Sequence, residues 1–312
     1  MTNVTVIIPT LNAQRYLEKL FQAIKRQSYS SKIEILIIDS SSKDRTVEFA
    51  ENNGARCIKI SKNDFSHGYA RNLGIQNATG ELVVFLSQDA LPFDDSWLKN
   101  LITPLIHENV AASFSRQIPY DSATPMERYF IKTHFPLERK IMHPPTESRD
   151  LRLLDVFFSN VSSAAKRDIA LRTPFWENLI MSEDQQFSRD LLSKGYTVSY
   201  EPSSCVWHSH RYGFKTVFQR YFDSAYSLNH IFDQKLPESV RIIRNYYKGE
   251  FKEILTRHFL WLPYYFLYLL AKTGGAVAGH YAEKLPRSLA KRLSMHKDFW
   301  DRKELVGSDK SG

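Results

Sequence analysis

Residues 33–46 read IEILIIDSSSKDRT, a nearly continuous apolar run that stops at Asp39 and three serines. A strand with one wet face alternates apolar and polar residues, whereas a strand covered on both faces reads as an unbroken run. The same design recurs at 4–9 (VTVIIP), ahead of Thr10, and at 81–87 (ELVVFLS), ahead of Gln88 and Asp89. Helical patterns lie between these runs. Residues 13–27 put Leu17, Leu20, Phe21 and Ile24 on one stripe. Residues 43–53 follow Ser42, placed as a cap; 66–77 are closed by Gly80; and 96–107 form a fourth helix. Short strands are expected at 57–60 and 110–114. Alternating strand and helix predicts an α/β fold, a mostly parallel sheet with helices on both faces.

Outward from this core the pattern weakens. Residues 115–145 are rich in Pro, Tyr and charge and predict loops and helices over one end of the sheet. A further strand is expected at 154–159, a helix at 183–194 ended by Gly195, and a short strand at 197–200. From about Gly213 the pattern is helical to the end. The longest apolar stretch, 259–271, contains Pro263 and falls short of the roughly 20 residues that span a bilayer. The opening residues carry no basic head followed by an apolar run, so no cleaved export signal is expected. The two cysteines, Cys57 and Cys205, form no CxxC pair. That disfavours a Cys-based zinc site or a disulfide framework and suits a reducing, cytoplasmic compartment.

The net charge of +8 is unevenly placed: residues 235–312 hold fifteen Lys/Arg against eight Asp/Glu, so nearly all of the excess sits in the tail. Such a tail is either a solvated helical face or a surface for an anionic partner, a membrane or a nucleic acid. Within it HFLWLPYYFLYLLAK (258–272) has six aromatics. Aromatic residues beside cations suit an interfacial anchor, or equally a packed helical subdomain or a homodimer interface. A nucleic-acid protein would interleave basic and aromatic residues along a groove; here they are confined to the tail, so no nucleic-acid partner is expected.

Open parallel sheets bind ligands at the carboxyl ends of their strands. Asp39 and Asp89 both stand at such ends, on strands expected to be neighbours, with Arg71 in the helix between them. Each Asp alone could be a cap; together they point to a polar ligand. No GxGxxG or GxxxxGK[ST] follows a strand, which disfavours a Rossmann dinucleotide site or a P-loop. A diphosphate held without a glycine loop needs a divalent cation or clustered Arg and Lys. A second cluster comprises Glu183 and Asp184, then His208, His210 and Arg211. Paired carboxylates at a helix start also complement its dipole. Histidines at i and i+2 share one side of an extended segment, for metal binding or for structure.

Taken in order, VTVIIPTLNAQRYL, IEILIIDSSSKDRT, HGYARNLGIQNATGELVVFLSQDALP and MSEDQQFSRDLLSKGYTVSYEP resemble a family 2 glycosyltransferase of the GT-A fold. The resemblance covers about residues 3–215 and implies a catalytic domain over 1–215. Its nucleotide-sugar half is about 1–115 and its acceptor and base half about 116–215, followed by a helical, basic extension over 216–312. NDFSHGYARNLG, LSQDALP, VWHSHRYGF and KLPRSLAKRLSMHKDFW are most similar to bacterial L-rhamnosyltransferases. Where the family usually has a DxD metal motif this chain reads Ser87-Gln88-Asp89, and the double Asp after the second strand reads Asp39-Ser40.

The resemblance implies an inverting, single-displacement transfer of L-rhamnose from dTDP-β-L-rhamnose to a cell-surface polysaccharide or lipid-linked glycan. A UDP-sugar donor is the alternative, and a non-catalytic basic peripheral membrane or nucleic-acid-binding protein the alternative of another class. Asp184 is then the base. Pro9, Thr10, Asn12, Asp39, Ser41, His67, Arg71, Gln88 and Asp89 line the donor site. Asp89 holds Mg²⁺ or Mn²⁺ with His208 or His210, and Glu183 and Arg211 lie on the acceptor side. The implied location is peripheral, on the inner face of the bacterial cytoplasmic membrane, with the tail on anionic lipid. Acceptor choice is expected in loops such as 119–150.

Overall fold

The computed structural model describes residues 2–145, 151–232 and 236–302. The chain divides into two compact units, the first 1–121, 131–177 and 183–209, the second 122–130, 178–182 and 210–312.

The first unit is built on one sheet. Its strands are β1 (Val4–Thr10), β2 (Ile33–Asp39), β3 (Arg56–Lys59), β4 (Leu82–Leu86), β5 (Leu91–Pro92), β6 (Ala112–Ile118), β7 (Lys140–Met142), β8 (Ser162–Lys166) and β9 (Val198–Trp207). They lie in the order β3-β2-β1-β4-β8-β6-β9-β5, with β7 paired to β9. The first four are parallel. β8 enters antiparallel between β4 and β6, and β6 runs parallel to β9. Its helices are α1 (Gln14–Lys25), α2 (Thr46–Asn52), α3 (His67–Asn77), α4 (Trp97–His107), α6 (Arg167–Arg172) and α7 (Glu183–Ser193); α5 (Pro125–His134) begins in the second unit and ends in the first.

Both sheet faces are covered. Val6 and Ile8 of β1 join Leu17, Leu20, Phe21 and Ile24 of α1 and Leu98, Leu101 and Ile102 of α4 in one core. Each such side chain withdrawn from water contributes roughly 1.5–3 kcal/mol. Ile7 points the other way, to α3, where a Cβ on Gly74 would sit 2.4 Å from its Cγ2. Only a glycine lets α3 lie this close to the sheet.

Several expectations need correction. β2 and β4, which carry Asp39 and Asp89, are not neighbours; β1 lies between them. The strand expected at 154–159 is instead a 3-10 turn at Leu153–Asp155 and irregular chain, and pairing starts at Ser162. The helix expected from residue 43 starts at Thr46, whose N–H is accepted by Asp44, not Ser42. Ser66 does cap α3, accepting the Tyr69 N–H at 3.1 Å. The strand expected at 197–200 extends to Trp207. Residues 146–150 of the loop expected to select acceptors, and the end of the basic tail from 303, lie outside the described residues.

The second unit is helical, with α8 (Phe214–Ile231), α9 (Leu236–Arg257), α10 (Leu262–His280) and α11 (Arg287–Leu293). Pro263 does not break α10, because it occupies the first turn, where no N–H is needed. α10 lies against α8 so closely that a Cβ on Gly275 or Gly279 would be 2.2 Å from the carbonyl oxygen of Phe218 or Phe222. Phe222, Tyr226, Ala290, Phe299 and Trp300 form a core at one end. Buried Asp223 secures the chain after α11 by accepting the N–H groups of Met295 and His296. Among the described residues no helix is long and apolar enough to cross a membrane.

Candidate functional site

Three strand-end turns of the first unit meet around β1. The Leu11 N–H donates to Gln88 Oε1 at 2.9 Å, tying the turn after β1 to the one after β4. The Asn12 N–H donates to Ser42 Oγ at 2.7 Å, and Asn12 Oδ1 accepts the Lys43 N–H at 2.9 Å, tying it to the turn after β2. Asp39 is 1 % exposed. Its Oδ1 accepts from Thr10 Oγ1 at 3.0 Å and Ser42 Oγ at 2.5 Å, and its Oδ2 accepts the Ser42 N–H at 2.9 Å. A carboxylate offers about four lone-pair sites, so this one braces the pocket wall and keeps little capacity for a further donor. Ser41 Oγ donates to the Ile60 carbonyl. Pro9 is half-buried within β1.

The turn after β4 also faces β9. Asp89 Oδ1 stands 3.7 Å from His208 Nε2. The other ring nitrogen, Nδ1, is 2.9 Å from Gln117 Oε1, and Gln117 Nε2 donates to Ser159 Oγ at 3.0 Å. With the amide nitrogen engaged by Ser159, the amide oxygen is left to accept, so the proton belongs on His208 Nδ1. In the neutral ring His208 Nε2 then presents a lone pair toward a carboxylate. Two facing acceptors suit a cation between them, and an imidazole whose far nitrogen is fixed by a hydrogen bond is the usual form of a metal ligand. These residues fit a divalent cation with mixed N/O ligands. His210, two residues on, belongs to the second unit, as does Arg211. Nearby, Trp207 pairs with Phe93 and Tyr120, ring centroids 5.4 and 5.8 Å away. Burial and the Asp89 charge raise the Tyr120 hydroxyl above its ordinary pKa.

The third element is the start of α7. Glu183 is buried and takes an ion pair from Arg71 of α3, Nη1 to Oε1 at 2.5 Å, both side chains about 7 % exposed. Burial opposes ionisation of Glu183, but Arg71 and then His67 outweigh it and hold the carboxyl below its usual value. Asp184 is half-buried. Its Oδ1 accepts the Gln185 N–H at 2.9 Å and its Oδ2 the Asn160 N–H at 3.4 Å. Burial and the adjacent Glu183 charge push it up to about 7, against the opposing pull of Arg71. A carboxylate that titrates near neutrality and is oriented by backbone N–H groups is suited to general-base work.

One short segment joins these parts. Ser159 receives Gln117, which holds His208; the Asn160 N–H reaches Asp184; and the Val161 carbonyl accepts the Ser87 N–H at 3.0 Å. Gln185 grips the preceding Phe158 through both its N–H and its carbonyl. Among the described residues, the non-glycine residues at positive φ are Asn12 (50°), Ser41 (67°) and Ser182 (65°). Two lie in the strand-end turns and the third directly precedes Glu183. Such backbone strain gathers where the surrounding structure over-determines a site.

The structure thus brings together Thr10, Asn12, Asp39 and Gln88 around β1, Asp89 with His208 across β4 and β9, and Arg71, Glu183 and Asp184 at α7. Arg71, expected to help hold donor phosphate or base, contacts Glu183, the neighbour of Asp184. Gln117, Ser159 and Asn160 were missed. They carry no motif, and only the antiparallel insertion of β8 makes them neighbours of the site.

Residues 5–170 match the family model described as Glycosyl transferase family 2. The chain is 30 % identical over 308 residues to the O-antigen chain rhamnosyltransferase RfbN of Salmonella typhimurium, covering 96 % of each chain. It is also 30 % identical over 311 residues to the O-antigen chain rhamnosyltransferase WbaN of Salmonella anatum, again with 96 % of each covered. Among solved structures, the mannosyltransferase PcManGT of Pyrobaculum calidifontis, in complex with GDP-Man and Mn²⁺, matches 96 % of this chain and 84 % of its own at TM-score 0.54 and 19 % identity. Residues 1–349 of S. aureus TarS, in complex with UDP-GlcNAc, match 94 % of this chain and 84 % of their own at TM-score 0.54 and 16 % identity. At such identities the likeness speaks for the fold, which is GT-A.

Proposed function

The chain belongs to glycosyl transferase family 2, and from that premise we propose that it is an inverting rhamnosyltransferase. It transfers L-rhamnose from dTDP-β-L-rhamnose to a cell-surface polysaccharide or lipid-linked glycan. The choice of donor and acceptor is supported by the two Salmonella relatives, both named O-antigen chain rhamnosyltransferases.

The observation that carries the mechanism is Asp184, a half-buried carboxylate pushed up to about 7 and aimed by two backbone N–H groups. It takes the proton from the acceptor hydroxyl as that oxygen attacks the anomeric carbon. The bond to the diphosphate breaks in the same displacement, so no covalent glycosyl-enzyme is formed. Arg71 and Glu183 keep the base at its working pKa. The three turns around β1 bind the nucleotide, with Thr10, Asn12, Ser41 and Gln88 on its side, Asp39 bracing the wall and His67 beside the Glu183 charge. Asp89 and His208 would hold Mn²⁺ or Mg²⁺. Held there, a divalent cation would supply positive charge for the leaving diphosphate.

The reading includes a catalytic domain over about 1–215, an extension over 216–312, and peripheral work at the inner face of the bacterial cytoplasmic membrane. It is supported there by the basic, aromatic tail. The test is incubation with dTDP-rhamnose, UDP-GlcNAc or UDP-galactose and a panel of lipid-linked and synthetic glycans, read by mass spectrometry. Transfer of a deoxyhexose from dTDP-rhamnose is the expected result. Transfer only from a UDP-sugar replaces the donor, and no transfer with any acceptor by an enzyme that binds dTDP-rhamnose rejects the acceptor class.

A further inference from the structure

We infer that α10 is an in-plane docking helix for an anionic lipid surface, seated through a face that runs from Phe259 to Val277. This deepens the reading above, since it names the surface a lipid-linked acceptor would call for. It rests on that reading only for its purpose.

The argument starts from charge. Between His258 and Glu283 the only formally charged residue is Lys272, and it is 4 % exposed. Its ammonium is enclosed by the rings of Tyr221, Tyr246, Tyr247 and Tyr268, at 4.6–5.7 Å, and lies 3.8 Å from the buried Glu250 carboxylate. The outer surface of α10 therefore carries no charge at all. The helix packs on α8 through Gly275 and Gly279 and buries Tyr265 and Lys272. On its free side Pro263, Phe266, Leu267, Leu270 and Val277 are exposed. Phe266, Leu267, Leu270 and Val277 are each more than half exposed, as are Phe259 and Leu260 before them. The spacing places Pro263, Phe266, Leu267, Leu270, Gly274 and Val277 on one stripe.

An uncharged, apolar stripe on a helix normally faces a core or lipid, and on the outer side of α10 this one faces solvent. The neighbouring sequence selects the occupant. Exposed cations flank the stripe: Lys248, Lys252 and Arg257 on the second half of α9, whose Phe251 packs against Phe266, and Lys284, Arg287 and Arg292 after α10. An apolar stripe flanked by cations complements an anionic bilayer. A second copy of this chain would bring the same cations against themselves.

The test uses the full-length protein without sugar or nucleotide, so its failure leaves the donor and acceptor chemistry standing. Flotation is measured with phosphatidylcholine vesicles and with vesicles of equal phosphatidylcholine and phosphatidylglycerol, at low and high salt. Wild type should float with the anionic vesicles, more weakly at high salt. Phe266→Glu/Leu270→Glu should lose this binding with an unchanged melting temperature, because both side chains are solvent-exposed. Lys248→Gln/Lys252→Gln should weaken it about tenfold or more at low salt. Equal binding to neutral vesicles, wild-type flotation by the Phe266/Leu270 variant, or no flotation at low salt each overturns the inference. A dimer in sedimentation equilibrium that the Phe266/Leu270 variant dissociates, with no vesicle binding, reassigns the face to self-association.

Discussion

His208 Nε2 and Asp89 Oδ1 face each other across 3.7 Å, while Gln117 engages the Nδ1 side of the same ring. With the His208 ring neutral, a shared divalent cation would make the pair a ligand set.

Asp89→Ala and His208→Ala should each weaken donor binding in the presence of Mn²⁺ and leave little for EDTA to remove. Gln117→Leu should keep both ligands yet lower cation affinity about 10–100-fold, the usual effect of losing the partner that fixes a ligating imidazole. Isothermal titration of Mn²⁺ into each variant reads this directly. Activity that survives both Asp89→Ala and the chelator would leave the diphosphate to Arg and Lys.

Asp184→Asn should reduce turnover by about 10²–10⁴-fold with nucleotide affinity retained. Single-turnover rates and donor titrations separate the two effects. Near-normal turnover in the purified variant would remove Asp184 from the mechanism.

The same carboxyl makes activity and stability depend on pH in opposite senses. A base must be deprotonated, so kcat/KM should rise with pH and reach half its plateau near 7, where burial and Glu183 place Asp184. In the unfolded chain an Asp titrates near 3.9. A native value above the unfolded one gives stability that is complete below the unfolded pKa and lost as pH rises through the native one. Asp184→Asn escapes that loss. Its melting temperature relative to wild type should therefore increase between about pH 5 and about pH 8.

Arg71→Met leaves Glu183 buried without its cation. Breaking a buried pair from one side costs about 3–5 kcal/mol, measurable by urea unfolding. Arg71→Met/Glu183→Gln should cost less than the sum of the single changes. Because Arg71 opposes the rise of Asp184, any activity that survives Arg71→Met should shift to higher pH.

The fold was legible wherever the chain is apolar in long runs. IEILIID could only be a strand covered on both sides, and Leu17, Leu20, Phe21 and Ile24 could only be one helix stripe. β8 was not legible: Ser162-Ser163-Ala164-Ala165-Lys166 has neither β-branched nor aromatic residues, and it is a strand because its backbone pairs with β4 on one side and β6 on the other. Ser42 looked like a cap by position, but Asp44, closer to the helix, takes the Thr46 N–H. For the site, strand-end carboxylates could be picked out because topology places them. Gln117 and Asn160 could not, because their partners are 91 and 24 residues away.

Ser159, Asn160 and Val161 are consecutive, and they hold the support of His208, the Asp184 carboxylate and the Ser87 turn in turn. The spacing between the Asp184 carboxylate and the support of His208 is thereby set by peptide bond lengths rather than by the slack of loops. This segment works as a gauge block: a displacement of it carries base and cation ligands together and preserves their separation. Tolerance to change should accordingly be lowest here for insertions and deletions, even where single side-chain replacements are borne.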